Sequence, residues 1–237
     1  MKLLILSDVH GNLAALDAVL AAEPAFDRVV FLGDAVDYGP DPSACLRRLT
    51  ELDPVWVRGN HDNAVARGVD CACSEATRAL SVASRPFTRS VLSPAELEFL
   101  GRLPTEATFT LGGLTFYATH ASPRDNLFEY ASPEDDPESW VEAMNVAPGD
   151  PDVILVGHTH VPYVKELGRR TVANPGSVGQ PRDGDPRASY AVWVDGRLEL
   201  KRVAHDLADT VSRLKGTGLA PDIVAALARI LESGRLP

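Results

Sequence analysis

Five short apolar runs punctuate the chain, and each stops at residues able to do chemistry. KLLIL (2–6) ends at Ser7-Asp8, and RVVFLG (28–33) ends at Asp34. VWVR (55–58) leads into Gly59-Asn60-His61-Asp62, LTFYAT (114–119) ends at His120, and VILV (153–156) ends at Gly157-His158. Runs this short and this apolar predict buried strands. Helical spacing fills the gaps between the first three. Leu13, Leu16, Val19 and Leu20 recur behind Asn12, a plausible cap, and Pro24 closes the segment; Ser43–Leu52 reads as a second helix. Strand, helix, strand, helix, strand predicts a βαβ sheet that is parallel at least in part.

Further on, the pattern changes. Residues 62–104 are less regular and predict a helical insert that caps or rims the sheet. Within it, Ser74–Ser84 reads as one helix. Ser93-Pro94-Ala95-Glu96 opens another with a capping box and a proline at the first helical position. Residues 106–122 predict a hairpin turning at Gly112-Gly113, and 188–203 one turning at Asp195-Gly196. The stretch 123–151, rich in Asp, Glu and Pro, predicts an exposed acidic segment with a short helix near 138–145. Two helices over about 206–233 close the chain, with apolar stripes through Leu207, Val211 and Leu214 and through Ile223, Val224, Leu227, Ile230 and Leu231. The stripes predict core packing and leave a homo-oligomer interface open. No internal repeat or linker divides the chain, so residues 1–237 are expected to form one domain.

Charge narrows the partners. With 33 acidic and 23 basic residues, the net charge of −10 argues against a broad nucleic-acid surface. No apolar run is long enough to span a membrane, and MKLLILSDVHG lacks the long apolar core of a signal peptide, which makes cytoplasm the default expectation. The cysteines, Cys45, Cys71 and Cys73, form no disulfide framework. The CAC spacing is tighter than that of a zinc knuckle and predicts loop packing.

The histidines carry the strongest signal. His10, His61, His120, His158 and His160 all lie in turns after apolar runs; of the six, only His205 does not. In open α/β sheets the carboxyl ends of strands form the functional rim, so neighbouring strands would bring these side chains to one edge. In extended chain, residues two apart point the same way, which pairs Asp8 with His10 and His158 with His160. Carboxylate, imidazole and amide together suit Mn, Fe, Zn, Ni or Co better than an all-oxygen Mg or Ca site. Seven candidate donors (Asp8, His10, Asp34, Asn60, His120, His158 and His160) exceed what one ion needs and point to two ions sharing a carboxylate. Such a pair clamps the attacking and leaving oxygens of an in-line displacement, which is chemistry for phosphate esters; a hydroxide bridging the ions would attack phosphorus directly.

SDVHG (7–11), GDAVDYG (33–39), GNHD (59–62), TH (119–120) and GHTH (157–160), in that order, closely resemble the calcineurin-like metallophosphoesterase family. NPGSVGQPR (174–182) is similar to its small bacterial and archaeal phosphodiesterase branch. The resemblance implies an α/β fold, a four-layer α/β/β/α sandwich of two mixed sheets. It implies that Asp8, His10 and His160 hold one metal, that Asn60, His120 and His158 hold the other, and that Asp34 bridges them. His61 would bind no metal; it would protonate the leaving alkoxide or stabilise the phosphoryl oxygens. Asp37 and Asp62 would orient these groups from behind. Two departures bear on substrate: Tyr38 stands where the protein phosphatase branch has an arginine, and GNHD replaces its GNHE. Losing that arginine weakens a monoester reading, since a doubly charged ester gains more from extra cations. Arg182, and after it Arg124, are the candidates to supply substrate contacts instead. The resemblance thus implies a phosphodiesterase for a small phosphoester, with manganese the first choice of metal. A phosphomonoesterase, a dinucleotide polyphosphate hydrolase and a non-catalytic scaffold are the alternatives.

Overall fold

In the computed structural model, which describes residues 1–236 and only the backbone at 137, one five-stranded sheet joins the two ends of the chain and a second is built from its middle. The first sheet takes β1 (Lys2–Leu6), β2 (Arg28–Phe31) and β3 (Val55–Trp56) and, from the distant C-terminal part, β9 (Ala188–Val194) and β10 (Arg197–Val203). Their order is β10-β9-β1-β2-β3. The second takes β4 (Glu106–Leu111), β5 (Leu114–Thr119), β6 (Val153–Leu155), β7 (Tyr163–Leu167) and β8 (Arg170–Asn174), in the order β4-β5-β6-β8-β7. β1, β2 and β3 run parallel, as do β5, β6 and β8, while the hairpin partners run antiparallel. Both sheets are therefore mixed.

Strand alternation explains the layering. Leu3 and Ile5 of β1 face the second sheet together with Val30, and meet Phe116, Ala118, Val153 and Leu155. Trp193 of β9 packs edge-on against Phe116 of β5, ring centroids 5.4 Å apart, across that inner layer. The alternate residues Leu4, Leu6, Val29 and Phe31 face outward onto α1 (Leu13–Ala22) and α2 (Pro42–Thr50). On the far side, Tyr117, Ile154 and Val172 bury Trp140 and Met144 of α6 (Pro137–Val146). The result is a helix–sheet–sheet–helix sandwich, as the resemblance implied.

The helical stretch between β3 and β4 comprises α3 (Asn60–Arg67), α4 (Glu75–Val91) and α5 (Pro94–Arg102). α3 differs from the expectation. The strand expected over 55–58 stops at Trp56, and a helix begins at Asn60, inside the donor motif. Gly59 supplies no capping side chain; instead the Asp62 carboxylate accepts the Gly59 N–H (3.1 Å), and Gly68, at φ 69°, ends the helix. α4 runs past its expected end at Ser84 to Val91, with Pro86 costing one backbone hydrogen bond without breaking it. α7 (Leu207–Lys215) and α8 (Pro221–Ser233) pack through Leu214, Leu227 and Ile230 against Leu80 and Tyr38. Among the described residues, no helix is long and apolar enough to cross a membrane.

Candidate metal centre

The parallel strands of each sheet all end at one edge, and the two edges meet. Backbone hydrogen bonds lock the meeting turns together. Asp8 N–H donates to Gly33 O (2.9 Å), His10 N–H to Asp34 O (2.9 Å), Gly157 N–H to His120 O (2.7 Å) and Gly179 N–H to Asp8 O (3.0 Å). Close approach leaves no room for side chains at two glycines: a Cβ on Gly59 would overlap Asp34 Oδ1, and one on Gly157 would overlap Ser7 Oγ.

The turns are not extended. Asp8 (φ 54°), His10 (46°), Asp34 (61°), His158 (67°) and His160 (60°) are all left-handed. The alternation argument for pairing Asp8 with His10, and His158 with His160, is therefore replaced by another cause. These pairs converge through backbone conformations that non-glycine residues adopt at some cost and that persist only when surrounding contacts impose them.

All seven donor candidates lie together, none more than 3% exposed. Two groups of donor atoms are distinguishable. In one, Asp8 Oδ1 is 3.3 Å from His160 Nε2 and 3.8 Å from His10 Nε2, with the two imidazole nitrogens 3.2 Å apart. In the other, His120 Nε2 is 3.0 Å from Asn60 Oδ1 and 3.2 Å from His158 Nδ1. Asp34 Oδ2 stands between them, 3.7 Å from His10 Nε2 and 3.3 Å from His120 Nε2. Its other oxygen accepts the His61 backbone N–H (2.9 Å), which fixes the carboxylate plane.

These atoms fit divalent cations. Donors about 2.1 Å from one ion stand about 3.0 Å apart in an octahedron and about 3.4 Å apart in a tetrahedron. The tautomers agree with this. Nδ1–H of His10 donates to Val36 O (3.0 Å), that of His120 to Leu32 O (2.8 Å) and that of His160 to Gln180 O (2.6 Å). Carbonyls only accept, so each Nε2 turns a lone pair inward. Asp8 Oδ1 and Asp34 Oδ2 are buried without a hydrogen-bond partner among the described residues, which a packed interior does not tolerate cheaply.

The protein groups also set one another's ionisation. Burial opposes charge on Asp8 and Asp34, but the surrounding histidines outweigh it and hold both well below the usual carboxylate range. Burial drives His10 down to about 3 and lowers His158 and His160 too, which favours their neutral forms. Against its own burial, His120 is held up to about 9 by Asp34 and Asp8. Asp62 accepts N–H from Asp34 (2.8 Å), Ala35 (2.9 Å) and Gly59, yet burial and the Asp34 charge push it up to about 6.

His61 sits beside the donors with Nδ1 on Asp37 Oδ2 (2.9 Å) and Nε2 3.4 Å from the Tyr38 hydroxyl. Asp37 is buried and accepts from Ser81 Oγ and Ser84 Oγ (both 2.9 Å), with Arg85 3.6 Å away. Burial opposes its charge, but His61 and Arg85 lower it. Of the two arginines, Arg182 is at the rim. Its backbone N–H donates to His160 O (3.3 Å), its side chain to Gln180 Oε1 (2.7 Å), and its Nε is buried without a partner among the described residues. Arg124 is engaged elsewhere: its guanidinium pairs with Glu129 (2.6 Å) and Glu142 (3.8 Å) and donates to Ser139. The acidic segment expected to be merely exposed thus takes Arg124 for its own folding.

Three neighbours of the centre escaped the sequence reading. Ser81 and Arg85, on α4, carried no local motif. Tyr130, from the acidic segment, lays its ring 4.0 Å from that of His158 and accepts from the Ser74 N–H (3.2 Å). The CAC turn was also misjudged. Cys71 and Cys73 are joined as a disulfide, and the Cys71 carbonyl accepts from Asn60 Nδ2 (2.8 Å).

Comparison with known proteins agrees with this geometry. A family model for the calcineurin-like phosphoesterase superfamily domain matches residues 1–195. An uncharacterized protein of Methanocaldococcus jannaschii is 31% identical over 86% of this chain and 87% of its own. Phosphodiesterase YfcE of Escherichia coli is 29% identical over 81% of this chain and 86% of its own. Among solved structures, a metallophosphoesterase from Sphaerobacter thermophilus is 32% identical, covers 99% of both chains and superposes with a TM-score of 0.80.

Proposed function

The chain belongs to the calcineurin-like phosphoesterase superfamily and is a metal-dependent phosphoesterase; from that premise we propose that it hydrolyses phosphodiester bonds in a small substrate with two divalent ions. Asp8, His10 and His160 hold one ion, Asn60, His120 and His158 hold the other, and Asp34 serves both. The observation that carries this reading is the Asp34 carboxylate. One oxygen is tied to the His61 N–H, and the other stands between two donor groups with no hydrogen-bond partner. When bound, the ions supply Lewis acidity toward the phosphoryl oxygens and a deprotonated water at neutral pH.

The remaining roles fall to the chain itself. Asp37 holds His61 by Nδ1, so Nε2 is the atom turned toward the leaving oxygen, to which it delivers a proton. Asp62 holds the turns of Asp34 and Gly59 by their backbone N–H groups. Arg182, whose Nε has no other partner, is placed to receive a non-bridging phosphoryl oxygen. One cation at the rim suits a singly charged diester better than a dianionic monoester. The phosphodiesterase name of the Escherichia coli relative is consistent with that choice. Manganese is the metal we propose first; the mixed imidazole, carboxylate and amide donors suit it together with Fe, Zn, Ni and Co.

The test is a panel on protein reconstituted with Mn2+, Fe2+, Zn2+, Ni2+ or Co2+. It compares a diester, a monoester, a 2′,3′-cyclic nucleotide and a dinucleotide polyphosphate. Diester cleavage should lead, and equal or better monoester cleavage would overturn the substrate class. In the same panel, His61→Ala should lose at least about 100-fold in kcat with metal content near two ions per chain. Full turnover in that variant would mean that His61 has no part in the chemistry.

A further inference from the structure

Cys71, Ala72 and Cys73 form a turn against the floor of the centre, and two separate contacts tie it to the groups that matter there. The Cys71 carbonyl accepts from Asn60 Nδ2 (2.8 Å), which leaves Asn60 Oδ1 facing His120. Cys71 Sγ lies 3.4 Å from Ser81 Oγ, which in turn donates to Asp37 Oδ2 (2.9 Å) and lies 3.4 Å from His61 Nδ1. The two sulfurs and His61 are close enough for one atom of each to lie within 4.8 Å of the others. The turn itself is not a relaxed one. Ala72, exposed and without a side chain that favours it, is left-handed at φ 51°. Such a residue persists where its surroundings impose the conformation. The Ala72 N–H donates to Asp70 Oδ1 (2.9 Å), and the bond between its two neighbours closes the turn.

We propose that Cys71–Cys73 is a redox-active disulfide that positions Asn60 and His61, so that its reduction weakens the second metal site and slows turnover. The inference rests on Asn60 being a metal ligand, as proposed above. Cys73 is 9% exposed while Cys71 is fully buried, so Cys73 Sγ is the sulfur that an incoming thiolate of the glutathione class attacks in this scheme. The new S–S bond forms there, the Cys71–Cys73 bond breaks, and Cys71 leaves with the electron pair and takes up a proton. A second thiol attacks the mixed disulfide and releases Cys73 as a thiol. Two protein thiols and one external disulfide result, with two electrons and two protons transferred. With the ring open, Ala72 is free to return to ordinary φ, which draws the Cys71 carbonyl away from Asn60. Cys71 and Cys73 are positioning residues in this scheme; neither touches substrate.

The holoprotein is equilibrated across a range of reduced-to-oxidised glutathione ratios. Each sample is divided for thiol alkylation with mass spectrometry, Mn2+ titration and kcat. The expected result is a paired two-cysteine mass change that tracks a loss of the weaker Mn2+ site and a fall of about tenfold in kcat, reversed on reoxidation. Cys71→Ser/Cys73→Ser should behave like reduced wild type at every ratio, and Cys45→Ser should keep the response. The proposal is overturned if alkylation shows full conversion while Mn2+ affinity and kcat stay constant. It is equally overturned if both cysteines alkylate in the oxidised buffer, or if the double variant still responds. Asn60→Ala separates the two readings. If that variant keeps its full Mn2+ content, the metal assignment fails and this inference with it. If Asn60→Ala loses metal but reduced wild type does not, the inference alone fails.

Discussion

Replacing Asp37 by asparagine removes one charge from the centre while keeping the shape of every group around it. Asp37 Oδ2 accepts from both His61 Nδ1 and Ser81, and Oδ1 accepts from Ser84. An asparagine carbonyl in the Oδ2 position can still take the first two. Its NH2 then faces the Ser84 hydroxyl, which can rotate to accept. What is lost is the charge in a buried 2.9 Å hydrogen bond to the imidazole. Hydrogen bonds to charged groups contribute about 1.5–3 kcal/mol, so kcat should fall about 10- to 150-fold. Because Asp37 touches none of the seven donors directly, Mn2+ content should stay near that of wild type. The assay compares two diesters, one with a nitrophenolate leaving group and one with an alkoxide. An alkoxide needs the proton proposed to come from His61 and a nitrophenolate scarcely does, so the loss should be several-fold larger for the alkoxide. Equal losses for both leaving groups would refute the reasoning, as would metal loss in step with activity, which would place Asp37 on the metal side.

Gly59→Ala should be among the most damaging small substitutions in the chain, since its Cβ collides with Asp34 Oδ1 and displaces the carboxylate proposed to serve both ions. We expect at least a tenfold loss in Mn2+ affinity, measured by titration, and a Tm lower by several degrees. An unchanged Mn2+ titration would show that the turn adapts. In chelator-treated protein, stability should peak near pH 6.5. Below it, the unfolded chain takes up protons at about 6.5 while buried His10 waits until about 3 and His158 and His160 also lag, which costs at least about 1 kcal/mol per pH unit. Asp62, raised to about 6, acts in the opposite sense there but alone against three. Above 6.5, His120 keeps its proton up to about 9, so its stabilisation is complete below 6.5 and is lost as pH rises through 9. Urea midpoints at pH 5, 6.5 and 9 check this, and a flat or monotonic profile would contradict it.

Most of the strand layout was legible because it is local. A run such as KLLIL has only one way to bury alternate residues against a sheet on one side and a helix on the other, and a turn such as Asp195-Gly196 closes a hairpin by its own preferences. Helix α3 was not legible: its start at Asn60 depends on a carboxylate, Asp62, reaching back to a glycine that offers no capping side chain. Ser81, Arg85 and Tyr130 were invisible as neighbours of the centre for a related reason. Each reaches it from 20 to 60 residues away in the chain, and nothing periodic or compositional marks the meeting. Arg124 failed in the converse way. Its sequence position near the rim said nothing about Glu129 and Glu142, which claim its charge.

The sequence by itself determined the α/β class, most of the strands and the kinds of side chain standing where strands end, because those follow from burial over a few residues; the two-sheet layering came from the family resemblance alone. Only the tertiary structure decided that the ends of β1 and β2 meet those of β5 and β6, that their turns go left-handed, and that one oxygen of Asp34 stands between two sets of donors. These depend on contacts between segments as much as 170 residues apart, such as Ser177 Oγ on Asp8 O. No local preference encodes a distance of that kind.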